Sequence, residues 1–408
     1  MASGHYDIVI AGGGMIGTSL AVALAPLGLE IAIVEPVARE AAAQPSFDDR
    51  STALSRSSRR MFEAMGLWAE VDAASTPITS IHVSERGRFG FSHIDAAEQG
   101  VEALGHVVIN RVLGDVLQRR AATFDNLHWF CPARITATAG APERVAVDVE
   151  SGGATSTLTA ALLVAADGAR SSVRSMLGID ASSIDYAQSA ITGNLLPELA
   201  PEHRAFERFT ESGALALLPV ADGRMAFVLI LPTAEARDVR ELPDEAFLVR
   251  LQDAFGWRLG TLGTVGRRAV YPLTLTRALR LCAARAVLVG NAAHGLHPVA
   301  AQGFNLGLRD VAALCDLLAD AKAAGSDLGS PELLAAYAEW RRADQRKVVW
   351  LTDGLVRLFG SRRPSLRLLR RAGMLGFDLL PGVRGAFARH AMGLAGRLPR
   401  LARGVPLA

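Results

Sequence analysis

Six consecutive residues, Gly12-Gly13-Gly14-Met15-Ile16-Gly17, restrict what this chain can fold into more than any other segment. The apolar run Asp7 to Ala11 ahead of them reads as a short buried strand. Met15 to Leu27 reads as an Ala-rich helix and Glu30 to Glu35 as a second strand, so the chain opens on a βαβ unit. Gly12 permits the tight turn, Gly14 lets backbone approach a pyrophosphate, and Gly17 allows helix and strand to touch. The free N–H groups and dipole of the helix start favour an anion there. Glu35 closes the second strand 18 residues after Gly17, where its carboxylate can accept hydrogen bonds from the ribose hydroxyls of an adenosine. Dinucleotide binding follows, although FAD and NAD bind such a unit by the same physics and it does not separate them.

With 408 residues, half of them apolar and only 6% aromatic, the composition suits an Ala/Leu/Val-rich α/β protein of one or two closely packed lobes. Cys131, Cys282 and Cys315 are too far apart for a redox pair or a zinc cluster, which favours a reducing, cytoplasmic compartment and no metal. Met1 to His5 carry no basic segment and the apolar run after them is broken by glycines, so neither a signal peptide nor a membrane span is expected. The net charge of +2 is unevenly spread: residues 357–408 hold eleven arginines and one acid, Asp378. That asymmetry points to an anionic partner surface at the C-terminal end, or to an Arg-rich solvated helix.

Residues 50–66 look helical, while 78–94 and 133–165 alternate in the manner of hairpins and meanders. Between Tyr186 and Thr276 the runs Ala214–Val220, Met225–Leu231 and Arg268–Leu275 make a β-rich middle lobe inserted in an α/β frame. The strand Ala286–Val289 returns to nucleotide-fold character, with helices from Phe304 to Ala319 and from Pro331 to about Phe359 after it. Beyond Gly360, Pro364, Pro381, Gly382 and Pro399 break the tail into short helical pieces.

Two further motifs carry chemistry. In Asp167-Gly168-Ala169-Arg170-Ser171-Ser172-Val173-Arg174 a buried run, Leu162–Ala166, ends in an Asp-Gly turn and a capping Ser; read alone, it is an ordinary strand-turn-helix junction. Gly290-Asn291-Ala292-Ala293-His294, then His297-Pro298, then Gln302-Gly303-Phe304-Asn305-Leu306-Gly307 form a strand end, a Pro-containing loop and a Gly-rich helix start. Backbone donors at Gly303–Asn305 suit a flavin, whose reduction puts negative charge near N1 and C2=O.

In this order and spacing, the three motifs resemble the class A flavoprotein monooxygenases of the para-hydroxybenzoate hydroxylase-like fold, over nearly the whole chain. Phe47-Asp48-Asp49-Arg50-Ser51-Thr52-Ala53-Leu54, the stretch Gly290 to Leu314, and Leu351-Thr352-Asp353-Gly354-Leu355 resemble the ubiquinone-biosynthesis hydroxylases, of the 2-octaprenyl-6-methoxyphenol hydroxylase type. The implied fold is α/β: a Rossmann-like FAD-binding domain (residues 1–76, 106–180 and 279–330) with an inserted β-sheet substrate domain (77–105 and 181–278) and a helical C-terminal region (331–408). By the same resemblance Gly12, Gly14, Met15, Ile16, Glu35, Arg50, Arg111, Asp167, Asn291, Gly303, Phe304 and Asn305 would contact FAD. One departure stands out, since the wider class has Gly-Asp where this chain has Gly290-Asn291; Asn keeps its hydrogen-bonding capacity without the charge.

The implied reaction is hydroxylation of a polyprenylated phenol by dioxygen through a flavin C4a-hydroperoxide, with NAD(P)H or a protein donor as reductant. Such chemistry needs no Ser/His/Asp triad, because the cofactor performs the difficult step. His294 and His297 could move a proton or only hold structure. The partners implied are the phenol, dioxygen, other ubiquinone-biosynthesis proteins and an anionic membrane surface, not nucleic acid, and the location is cytoplasmic or peripheral on the inner membrane face. Competing readings are a hydroxylase of another small aromatic, a halogenase or prenyl reductase of the same fold, and a non-catalytic flavin-binding assembly factor. A Trp-x-Trp pair, as in halogenases, is missing: none of Trp68, Trp129, Trp257, Trp340 or Trp350 has a Trp two residues away.

Overall fold

The computed structural model describes residues 4–38, 48–87, 91–296, 302–360 and 381–408. Phe47, His297, Pro298, Pro364 and Asp378, all singled out above, lie outside them.

Among the described residues, the first sheet has eight strands. His5–Ala11 lies between Ala154–Ala165 and Ile31–Val34, parallel to both, with Ile10 opposite Val164 on one side and Ile33 on the other. Leu127–Phe130 continues the parallel order beyond Ile31–Val34, and Ala286–Leu288 beyond Ala154–Ala165. Ile8, Val9, Ile10, Ile31 and Leu163 are fully buried, as helices covering a parallel sheet require. Each such side chain contributes roughly 1.5–3 kcal/mol by leaving water. The first helix keeps regular form over Met15–Leu24 and tightens to a 3-10 turn over Ala25–Leu27, where Pro26 supplies no N–H.

Among the described residues, a second sheet of nine strands is built around the long strand Ala181–Pro197, which pairs with Ala269–Ala278 on one edge and Met225–Pro232 on the other. Ala214–Pro219, Arg204–Phe209, Ser80–Glu85 and Phe91–Asp95 extend it in that order. One face is closed: Leu215, Leu217, Phe227 and Leu229 pack with Phe247, Leu251 and Phe255. Those aromatics belong to the helix Asp244–Phe255, which follows Thr233–Glu241; neither helix was expected in the β-rich lobe. The other face looks into the cavity described below.

Residues 50–66 differ from expectation. Ser51–Ser55 is a strand, paired with Gly105–Ile109 in a three-stranded sheet that also holds Ser75–Ile78, and only Arg56–Ala64 is helical. The switch falls at Ser55, whose hydroxyl accepts from Ser58 N and caps the helix. In the tail, Pro381–Ala391 is helical, with Ala388 and Met392 packed on Ile94, Ala96 and Leu104, while Leu401 and Ala402 enter the main core. Among the described residues no helix is long and apolar enough to cross a membrane.

Candidate active site

The glycine turn is fixed by contacts that no side chain could share. Gly12 has φ +99°, and a Cβ there would lie 2.7 Å from Ala166 O. One on Gly17 would lie 1.9 Å from Gly12 O, so the helix starts against the turn itself. Glu35, at 8% exposure, ties the turn to the second strand: its Oε2 accepts from Gly13 N at 2.7 Å and its Oε1 from Val37 N at 2.9 Å. Each oxygen retains a further lone pair for a ligand hydroxyl.

The loop from Gly290 to Leu296 faces this turn and is anchored from behind. Asp310, fully buried on the helix Gln302–Ala323, accepts from Gly290 N at 3.1 Å, Arg341 Nε at 2.7 Å and Gln345 Nε2 at 3.1 Å, and its Oδ2 lies 2.6 Å from His294 Nε2. Burial alone would raise the Asp310 carboxyl, but His294 and Arg341 hold it well below the usual carboxylate range. His294 is therefore a tie between loop and helix; it is fully buried and is not part of the cavity wall.

A cavity of about 1380 Å³ runs between the two sheets. Of the expected cofactor contacts, Gly14, Met15, Ile16, Arg50, Arg111, Asn291, Gly303 and Phe304 line it, whereas Gly12, Glu35, Asp167 and Asn305 do not. Asn291 is exposed, with no hydrogen bond among the described residues. Arg50 pairs with Asp48 and lies 4.6 Å over the Tyr271 ring, and Arg111 pairs with Asp49 at 3.3 Å. The Asn305 side chain is turned away: it accepts from Ser55 N and Ser58 Oγ and donates to Ala53 O, so it holds the Ser51–Ser55 strand and offers a ligand only backbone.

Three observations fit FAD. The glycine turn leaves no room for a Cβ at Gly12, so it stays tight against Ala166 as the first glycine of a dinucleotide-binding turn must. A Cβ at Gly303 would meet nothing within 4 Å, so the helix start opens onto free space. Asp167 caps the helix Ser172–Met176 through Oδ2, which accepts from Val173 N at 3.1 Å, while its buried Oδ1 has no partner among the described residues. An orphaned acceptor beside the cavity calls for a donor such as a ligand hydroxyl.

Sequence reasoning looked to the β-rich lobe, in the runs Ala214–Leu218 and Val228–Leu231, for the cavity's second wall, and assigned none of its individual residues. Ala190, Ala216, Leu218, Ala226, Val228 and Ile230 form it, with Thr192, Asn194, Tyr271 and Glu207 among its polar points. Alternation in the strands was visible, but which parity faces the cavity depends on the register of five strands. Asp353, in a motif singled out above, accepts from Tyr186 Oη at 2.9 Å and so ties the C-terminal helix Pro331–Gly360 to the long strand.

The family described as FAD binding domain matches residues 5–352. A ubiquinone hydroxylase, UbiL, of Rhodospirillum rubrum is 38% identical over 98% of this chain and 93% of its own length. The 3-demethoxyubiquinol 3-hydroxylase of Escherichia coli is 30% identical over 97% of this chain and all of its own. Among solved structures, p-nitrophenol 4-monooxygenase PnpA of Pseudomonas putida superposes with TM-score 0.80 at 17% identity, covering 97% of this chain and 100% of that one, a likeness of fold. The chain belongs to the FAD-dependent aromatic-ring monooxygenases, among the ubiquinone-biosynthesis hydroxylases.

Proposed function

We propose that this protein hydroxylates the ring of a polyprenylated phenol in ubiquinone biosynthesis, with FAD reduced by NAD(P)H or by a protein donor. The observation that carries the reading is one continuous cavity, walled by helix starts and glycines at Gly14–Ile16 and Gly303, and by the apolar sheet face at Ala216, Val228 and Ile230. Bound FAD, once reduced, supplies the activated oxygen. The chain's own residues hold and orient. Gly12 keeps the turn tight, Gly14 admits the pyrophosphate, Glu35 receives the adenosine ribose, and Arg50 and Arg111 stand at the phosphate side. Asp167 and Asn291 receive hydroxyls of the linking chain, and the N–H groups of Gly303 to Asn305 face the ring system. The apolar wall excludes water and holds a greasy ring against the cofactor.

In this reading 1–76, 106–180 and 279–330 bind cofactor, 77–105 and 181–278 meet substrate, and the tail brings the protein to the cytoplasmic membrane face, where a prenylated phenol dissolves. Deleting the gene and identifying the accumulated quinone precursor by mass spectrometry tests the assignment. A precursor lacking one ring hydroxyl, converted when the gene is returned, is the expected result. Unchanged quinone content would overturn it.

A further inference from the structure

The wall that faces the cavity carries a carboxylate whose surroundings are otherwise apolar. Glu207 lies on Arg204–Phe209, opposite Ala216 on one neighbouring strand and Val83 on the other. The same cross-strand row continues from Ala216 to Val228, Thr192 and Ala269, and all of these except Val83 line the cavity. The flanking residues on its own strand, Phe206 and Arg208, serve the opposite face: Phe206 packs on Phe255, and Arg208 Nε donates to Ala254 O. On the cavity face Glu207 sits between two apolar clusters, one of Ala190, Phe209, Ala214 and Ile230, the other of Ala205, Ala226 and Leu218.

No hydrogen bond or ion pair reaches the Glu207 side chain among the described residues. The cavity's other acids, Asp48 and Asp49, are paired with Arg50 and Arg111. Glu207 is half-buried and lines the cavity, so a ligand that fills the cavity must supply the carboxylate with a partner. Burial pushes its carboxyl up to about 7, and no neighbouring charge contributes.

We propose that Glu207 receives the ring hydroxyl of the phenolic substrate and takes its proton during hydroxylation. This rests on the ring-hydroxylation reading above. In the step, the phenolic O–H bond breaks and an O–H bond forms on the Glu207 carboxylate. The electron pair stays on the phenolic oxygen and spreads to the ortho and para carbons, which then accept the incoming oxygen. The oxygen arrives as a hydroxyl group whose O–O bond breaks, the electron pair of that bond staying with the oxygen left behind. When the ring regains aromaticity, the hydrogen of the attacked carbon leaves as a proton to that oxygen, and Glu207 returns its own to the phenolic oxygen. A carboxylate in water is too weak a base for a phenol; an apolar wall strengthens it.

The charged groups that share the cavity are Asp48, Asp49, Arg50, Arg111, Arg240, Arg267 and Arg268, so the test compares variants at one position across pH. The FAD-loaded protein and its Glu207→Gln and Glu207→Asp variants are compared using a short-chain prenylated phenol and its methyl ether. Binding is read from the flavin spectrum and hydroxylation from product, on either side of about pH 7. In wild type, kcat rises through that pH and the phenol binds tighter than the ether above it. Glu207→Gln loses the rise, falls in kcat by about a hundredfold or more, and binds phenol and ether in a ratio that no longer changes with pH; Glu207→Asp restores part of both. Wild-type pH dependence and phenol preference in folded, flavin-loaded Glu207→Gln overturn the role of Glu207 alone. Wild-type protein that neither binds nor hydroxylates any phenol overturns the underlying reading, and this role with it.

Discussion

His294 Nε2 and Asp310 Oδ2 stand 2.6 Å apart with both side chains fully buried, and through them the loop at Gly290 is fastened to two C-terminal helices. Replacing Asp310 with Asn leaves Arg341 buried without its full counter-charge, at a cost of about 3–5 kcal/mol. A lower denaturant midpoint and weaker flavin retention are expected at neutral pH. The folded carboxyl lies below its unfolded value, so this stability is present above the unfolded pKa and is lost as pH falls through the folded one. The gap between wild type and variant should therefore narrow in acid. A constant gap from neutral to acid pH would show that charge is not the cause.

Two glycines at helix starts should respond in opposite ways. A methyl group on Gly17 has no space beside Gly12 O, so Gly17→Ala should yield little folded protein. Gly303 faces open space, so Gly303→Val should fold, melt near wild type, and lose flavin because its side chain fills the cradle. Circular dichroism and the flavin-to-protein absorbance ratio separate these outcomes, and full flavin content in Gly303→Val would move the ring elsewhere.

Glu35 has two tasks in this structure. It accepts the N–H groups of Gly13 and Val37, and in the proposed function it also receives the ribose. Glu35→Ala should cost about 1–3 kcal/mol in flavin affinity, a factor of roughly five to 150, and also lower the stability of the flavin-free protein because two N–H groups lose their acceptor. Titration with FAD and melting of the flavin-free form measure the two tasks independently. Unchanged affinity together with lower stability would leave Glu35 a turn fastener only.

The first βαβ unit was legible because its signals are local: Gly12, Gly17 and Glu35 act within one short segment, and a fixed turn demands them. The strand Ser51–Ser55 was not, because its partner Gly105–Ile109 lies more than fifty residues on and Ser-Thr-Ala-Leu-Ser has no strong helical or strand bias. Asn305 was singled out for its backbone N–H, and the work of its side chain was not legible. Its place beside Gly303 points at the cofactor, yet its amide is committed to Ala53, Ser55 and Ser58. Glu207 was invisible for a different reason: an acid in an alternating strand reads as solvent-facing, and only sheet register turns that face inward.

The tail gives the last test. Of its arginines, Arg384 pairs with Glu98, Arg400 with Asp316 and Asp320, and Arg397 lies 3.9 Å over the Trp340 ring. The apolar positions Ala388, Met392 and Leu401 are buried in the protein. Membrane attraction must then rest on the arginines that these contacts do not engage, and each one near an anionic surface contributes about 1 kcal/mol. Co-sedimentation with anionic vesicles should exceed that with neutral ones at low salt and fall as salt rises. Replacing Arg362, Arg363, Arg367, Arg370 and Arg371 by Gln should abolish the difference, while Arg400→Gln should lower stability and leave vesicle binding intact. Equal pelleting on both vesicle types, or none on either at low salt, would leave the arginines of the tail to bind the protein itself and not a lipid surface.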